Sequence, residues 1–307
     1  MEYRSLGRSG PKVSAIGLGA WQWGSRGYWR YGDGYSKEDL VSIVEAARTS
    51  GINLIDTAEA YGRGESERLI GELVPRDEFL IATKFLPIAV SASAVERHLE
   101  RSLRRLGTSS VDLYQVHWHN PLLSLRGTMR CLEAMVKRGR IRHIGVSNFD
   151  VPTLMKAREF LSTTDIVSNQ IRYNLLNRGA ESDGMLDYCR KEGIAILTWS
   201  PLEQGVLTGK FPPGAKVRGW RRVNRFFHQS NLRRSEALLD ALRVASEAHG
   251  HTTSQGALAW LLRHDNVIAI PGASKPEQVL SNAGGSGWSF EERELEDLDG
   301  AYARFVA

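Results

Sequence analysis

Eight short apolar runs, set apart by stretches with helical spacing, organise this sequence. They cover residues 15–20, 53–56, 79–83, 111–117, 141–146, 166–170, 194–199 and 267–270. Between them, 37–50, 93–106, 125–137 and 181–192 repeat apolar residues every three or four positions. Runs this short and apolar read as buried strands, and the intervening stretches as helices packed over them. Alternating strand and helix builds a parallel sheet with helices outside, and eight such units close into a barrel. The expected fold is therefore α/β, a (β/α)8 TIM barrel, as one domain over 1–307. Three segments break the rhythm. Residues 2–14 read as an N-terminal β-hairpin turning at Ser9-Gly10-Pro11. Residues 201–231 form a long irregular stretch after the seventh strand. Residues 284–307 open on Gly-Gly-Ser-Gly and end in an acidic helical tail, so extra helices are expected near the C-terminus.

Composition narrows the function classes. The chain has 307 residues, and no apolar run approaches the roughly 18 residues that a membrane span needs. The first residues carry no apolar signal core, so a cytoplasmic location and no membrane partner are expected. Lys and Arg number 40 against 35 acidic residues, a net charge of +5. That mild excess suits a small anionic ligand, and no nucleic-acid-binding motif accompanies it. Cys131 and Cys189 fall in helical stretches and are expected as reduced, packed thiols. No His, Cys or carboxylate set has ligand spacing, so no metal is expected.

In a barrel of this kind, functional groups gather where the strands end. The second run ends in Asp56, with Tyr61 on the loop beyond. The third strand ends in Ala82-Thr83-Lys84, and the fourth ends in His117. A carboxylate, a phenol, an amine and an imidazole thus emerge on adjacent units at one rim. Each alone has an ordinary structural explanation, an aspartate at a strand end being a common helix cap. Together they form a coherent set. Asp56 would keep a buried Lys84 charged, the ammonium would lower the phenol pKa of Tyr61, and His117 would orient a substrate oxygen.

The segments GINLIDTAEAYGRGESERLIG, LIATK, DLYQVHW and IRHIGVSNF resemble signatures of the aldo-keto reductase superfamily, in order and over nearly the whole chain. The GYWRYG insertion looks like relatives in the pyridoxal-reductase-like branch, close to the potassium-channel β-subunits. The resemblance implies that Asp56, Tyr61, Lys84 and His117 form the catalytic tetrad, with Tyr61 as general acid in carbonyl reduction. It implies NADPH as cofactor, NADH being the lesser alternative. By the family pattern, Ser147, Asn148 and Gln170 match the nicotinamide carboxamide site, and Trp199 the ring that stacks on the nicotinamide, where Tyr or Phe is more usual. SPLEQGVLTGK resembles the pyrophosphate loop, with Ser200, Leu202, Gln204, Gly205, Leu207 and Lys210 as its candidates. Gly272, Ser274 and Lys275, before a helix N-terminus, match the ribose and 2′-phosphate site. The arginine common at position 278 in NADPH-preferring relatives is absent, and Gln278 and Asn282 are assigned to the adenine.

On the substrate side the first long loop is aromatic, with Trp21, Trp23, Tyr28, Trp29 and Tyr31, and Trp118 follows His117. Trp21, Trp23 and Trp118 are expected to face a small carbonyl substrate in a mostly apolar pocket. Arg26 and Arg30 are candidates to meet an anionic one. The basic cluster Arg218, Arg221, Arg222 and Arg225 lies in the long irregular stretch, as a solvated loop or a cover for the dinucleotide phosphates. Two competing functions fit parts of the pattern. One is a redox-sensing regulatory subunit that binds NADPH with little turnover. The other is a phosphate-binding barrel isomerase, which the nicotinamide-site residues disfavour.

Overall fold

The computed structural model describes residues 1–87, 92–217 and 219–307. Among them, β1 (Tyr3–Ser5) and β2 (Lys12–Ser14) pair antiparallel as the expected hairpin. Eight further strands follow: β3 (Leu18–Gly19), β4 (Leu54–Asp56), β5 (Leu80–Phe85), β6 (Val111–Val116), β7 (Ile141–Ser147), β8 (Ile166–Arg172), β9 (Ala195–Trp199) and β10 (Val267–Ala269). Each pairs parallel with its neighbour in chain order. The sheet closes on itself through bridges from Ile16 to Ala269 and from Gly19 to Gly272. Backbone bonds from Gly17 to Ala269 and from Gly19 to Pro271 seal that seam. The result is the expected (β/α)8 barrel.

Strand alternation divides the side chains between two cores. Ile55, Ile81, Tyr114, Val116, Ile144 and Ile196 join the large core beneath the helices. Leu54, Ala82, Leu113, Leu197 and Ile268 form a smaller cluster inside the barrel, and Leu6 and Val13 from the hairpin belong to it. The hairpin therefore plugs one end of the barrel with apolar side chains. Two residues further along β4, β5 and β6, the same inward face turns polar. Leu54 is followed by Asp56, Ala82 by Lys84 and Leu113 by Gln115, all buried.

The boundaries shift where burial overrides the apolar pattern. The third strand runs on to Phe85, so Lys84 lies within the strand and points inward. The sixth extends to Arg172. The helix expected over 181–192 breaks at Gly184, whose φ of 78° is left-handed, into Gly179–Ser182 and Met185–Glu192. The irregular stretch holds short turns of helix at Glu203–Thr208, Gly219–Val223 and Arg225–Phe227 before a long helix, Gln229–Ala248. The C-terminal helix, Glu292–Val306, packs on that long helix.

Candidate active site

At the open end of the barrel, Lys84 is wholly buried among oxygen atoms. Its Nζ donates to Asp56 Oδ2 at 2.5 Å, to the Thr57 carbonyl at 2.7 Å and to the Tyr61 hydroxyl at 3.2 Å. Burial alone would discharge an amine, because a lone charge in an apolar interior is costly. Burial does oppose the ammonium, but Asp56 and then Tyr61 outweigh it, and its pKa lies above the ordinary lysine value. Asp56 is fixed from its other side. Its Oδ1 accepts Gln115 Nε2 at 3.1 Å and Gln170 Nε2 at 2.8 Å. Gly145 makes room for this layer. A Cβ there would lie 2.7 Å from Ser168 Oγ and 2.8 Å from Gln115 Cγ.

Tyr61 opens a turn whose next three residues, Gly62, Arg63 and Gly64, are all left-handed. The turn carries the chain straight into the helix Glu65–Leu73, which is fastened to the barrel beneath. Ser66 Oγ donates to the Ala20 carbonyl at 2.9 Å, and the buried Glu67 accepts Thr83 Oγ1 and Arg105 Nε, both at 2.6 Å. The expected lowering of the phenol pKa does not prevail. Burial holds it above its ordinary value, and the opposing pull of Lys84 is the weaker effect. The His117 ring stands edge-on to Tyr61, with centroids 6.0 Å apart. Burial, aided by the Lys84 charge, pushes the His117 pKa down to about 3, so the ring is neutral at pH 7. Its Nδ1 is buried without a partner among the described residues.

The residues matched to a nicotinamide site adjoin this group. Ser147 and Gln170 are register partners on β7 and β8, and Ser147 Oγ donates to the Gln170 carbonyl at 2.8 Å. Asn148, left-handed at φ 58°, donates to Ser147 Oγ and to the His117 carbonyl. Its Oδ1 accepts Trp199 Nε1 at 3.0 Å. Gln170 thus belongs to both groups at once. On the loop after β9, Ser200, Gln204 and Gly205 are left-handed. Leu202 is half-buried, Lys210 is exposed, and Leu207 is wholly buried, so any ligand contact of Leu207 falls to its backbone. After β10, Gly272 lies on the seam and Lys275 stands exposed before the helix Pro276–Ala283. Gln278 turns back on its own loop, its Oε1 accepting the Ser274 backbone N–H at 2.8 Å and the Ser274 hydroxyl at 3.3 Å. Asn282 is buried in the same helix.

The sequence model of the Aldo/keto reductase family matches residues 15–303. The chain belongs to the aldo/keto reductase family. It is 38% identical over 273 residues to an uncharacterized oxidoreductase of Mycobacterium tuberculosis, covering 88% of this chain and 84% of that one. It is 32% identical over 302 residues to the NADH-specific methylglyoxal reductase of Escherichia coli, covering 90% and 91%. Among solved structures, an aldo-keto reductase from Klebsiella pneumoniae in complex with NADPH superposes with a TM-score of 0.78 at 30% identity, covering 98% and 96% of the two chains.

Within this aldo/keto reductase barrel, the aromatic residues of the first loop separate. Trp21 is partly exposed, 6.4 Å from the Tyr61 ring and 5.2 Å from Trp29. Trp118 is 49% exposed and stacks beside His117. Trp23, also expected to face substrate, is wholly buried in the main core. In the basic cluster, Arg221 donates to the Gln204 carbonyl at 3.2 Å and lies over Trp29, while Arg225 lies over Phe226. Arg26, Arg30 and Arg222 are exposed. Arg218 and the Tyr28 side chain lie outside the described residues. Two features escaped the sequence reading. Gln115 stands two positions before His117 on the same strand face, a spacing that would have found it. Glu203 is wholly buried and accepts Arg172, Asn174 and Asn224. Its partners lie 21 to 31 residues away in sequence, and no local pattern announces them.

Proposed function

We propose that this protein is an NADPH-dependent reductase of aldehydes or ketones, with Tyr61 as the general acid. The observation that carries this reading is the fully buried Lys84 ammonium held between Asp56 and the Tyr61 hydroxyl, beside a neutral His117. When bound, the dihydronicotinamide supplies a hydride to the carbonyl carbon. The carbonyl π pair moves to oxygen, and the Tyr61 hydroxyl donates the proton that completes the alcohol. Lys84 steadies the phenolate left behind, and the neutral imidazole of His117 orients the substrate oxygen as charge develops on it. A phenol held above its ordinary pKa remains a proton donor through neutral pH, which suits reduction.

The cofactor residues fit this reading. Gln170 Nε2 is committed to Asp56 and Gln115, and its Oε1 has no partner among the described residues, so it is free to accept a carboxamide N–H. Trp199 offers a broad face for the nicotinamide. Ser200, Leu202, Gln204, Gly205, Leu207 and Lys210 would hold the pyrophosphate. Gly272, Ser274, Lys275, Gln278 and Asn282 would hold the adenosine end. Lys275 favours the 2′-phosphate of NADPH by charge, although one relative is named for NADH. Trp21 and Trp118 supply apolar walls for the substrate.

The test is the loss of NADPH absorbance with 4-nitrobenzaldehyde, alongside Tyr61→Phe. The variant should bind NADPH as the parent does while losing nearly all kcat. Undiminished turnover would remove Tyr61 as the acid. Tight NADPH binding with no turnover by the parent would favour the regulatory reading instead. Lys275→Ala should weaken NADPH more than NADH, and equal losses would move the 2′-phosphate elsewhere.

A further inference from the structure

Arg172 and Trp199 are register partners at the ends of β8 and β9. The guanidinium lies 5.4 Å from the Trp199 ring centroid and 5.2 Å from that of Phe226. It is held there by Glu203, whose carboxylate is wholly buried and ion-paired with it. Asn174 Nδ2 at 2.9 Å and Asn224 Nδ2 at 3.0 Å fix that carboxylate in turn. The indole is itself anchored at its edge by the Nε1 bond to Asn148. Ring and cation are therefore both immobilised, one against the other.

A cation near an aromatic ring draws on the ring's electron density. A ring so engaged attracts a second cation on its surface less strongly. The two redox states of a nicotinamide differ in this respect, because the oxidised ring is a pyridinium cation and the reduced ring is neutral. We propose that Arg172 is a positioning residue that makes Trp199 discriminate between the two states, favouring reduced over oxidised cofactor. Glu203 tunes the effect by offsetting part of the Arg172 charge. This inference rests on the reading that the Trp199 ring stacks on the nicotinamide. Its consequence is directional. NADP+ leaves more readily than NADPH, which suits an enzyme working towards reduction.

The experiment measures dissociation constants for NADPH and for NADP+ separately, by calorimetry, on the full chain and on two variants. Arg172→Gln should lower the ratio of the NADP+ to the NADPH constant by roughly fivefold, the size of a modest cation–π effect. Glu203→Gln leaves the Arg172 charge less compensated and should raise the same ratio. A merely structural role would weaken both cofactors together and leave the ratio where it was. A ratio unchanged in both variants, or moved the same way by both, would overturn the proposal. If Arg172→Gln does not fold, Glu203→Gln decides alone, and any result but a raised ratio defeats it. A parent protein that binds neither cofactor would instead sink the nicotinamide reading, and this inference with it.

Discussion

His117 shows how one side chain ties stability to pH. Its pKa is pushed down to about 3 in the folded protein, against an ordinary value of about 6.5 in the unfolded chain. Between those values the unfolded chain takes up a proton that the folded one refuses. The stability contributed by neutral His117 is therefore complete above about pH 6.5 and is lost progressively as pH falls towards 3. His264, held down to about 4 chiefly by burial, adds a similar dependence. Urea midpoints at pH 7 and pH 4.5 should fall further apart in the parent than in His117→Asn, and equal differences would show that His117 does not carry this effect. The residue types of the candidate site were legible in the sequence, because Asp56, Lys84 and His117 end successive strands at one barrel rim. The sign of the Tyr61 shift was not. It depends on how completely the turn after β4 buries the phenol, and a neighbouring charge read from sequence says nothing of burial. The burial of Trp23 was not legible for a related reason, since an aromatic loop does not reveal which ring the core will take.

Among the elements, β7 depends on an absent side chain. Gly145 leaves the space that Gln115 and Ser168 fill, and Gln115 steadies Asp56. Gly145→Ala should cost about 1–3 kcal/mol of stability, the usual penalty for overfilling a packed interior. It should also displace Gln115 from Asp56. Chemical denaturation checks the first effect, and a crystal structure of the variant showing Gln115 unmoved would contradict the second. Strand identity was readable from the apolar runs, but strand ends were not. The sixth run was expected to stop at Gln170, whereas the backbone pairing of β8 continues to Arg172, whose charge is met by Glu203 on the loop after β9. The loop after β9 was expected as an irregular stretch, and it is one. Its internal support by Glu203 was invisible, since that support comes from β8 and from the 219–227 segment.

For the whole molecule, the hairpin is part of the barrel rather than an appendage. Leu6 is fully buried within the inner cluster, and Leu6→Ala should lower stability by about 3 kcal/mol through lost contacts and a residual cavity. A loss well under 1 kcal/mol in urea unfolding would show that the barrel closes without its plug. The barrel seam has a consequence for how the protein is made. The chain is synthesised from the strand on one side of the seam to the strand on the other, so ring closure must await residues near the C-terminus. Until Val267 and its neighbours emerge from the ribosome, β3 and β9 both present bare, hydrogen-bonding edges, the kind of surface on which nascent chains aggregate. Nascent chains stalled before residue 267 should stay open to protease while those stalled well beyond the C-terminus resist it, which makes the last strand the moment at which this protein becomes safe from its neighbours.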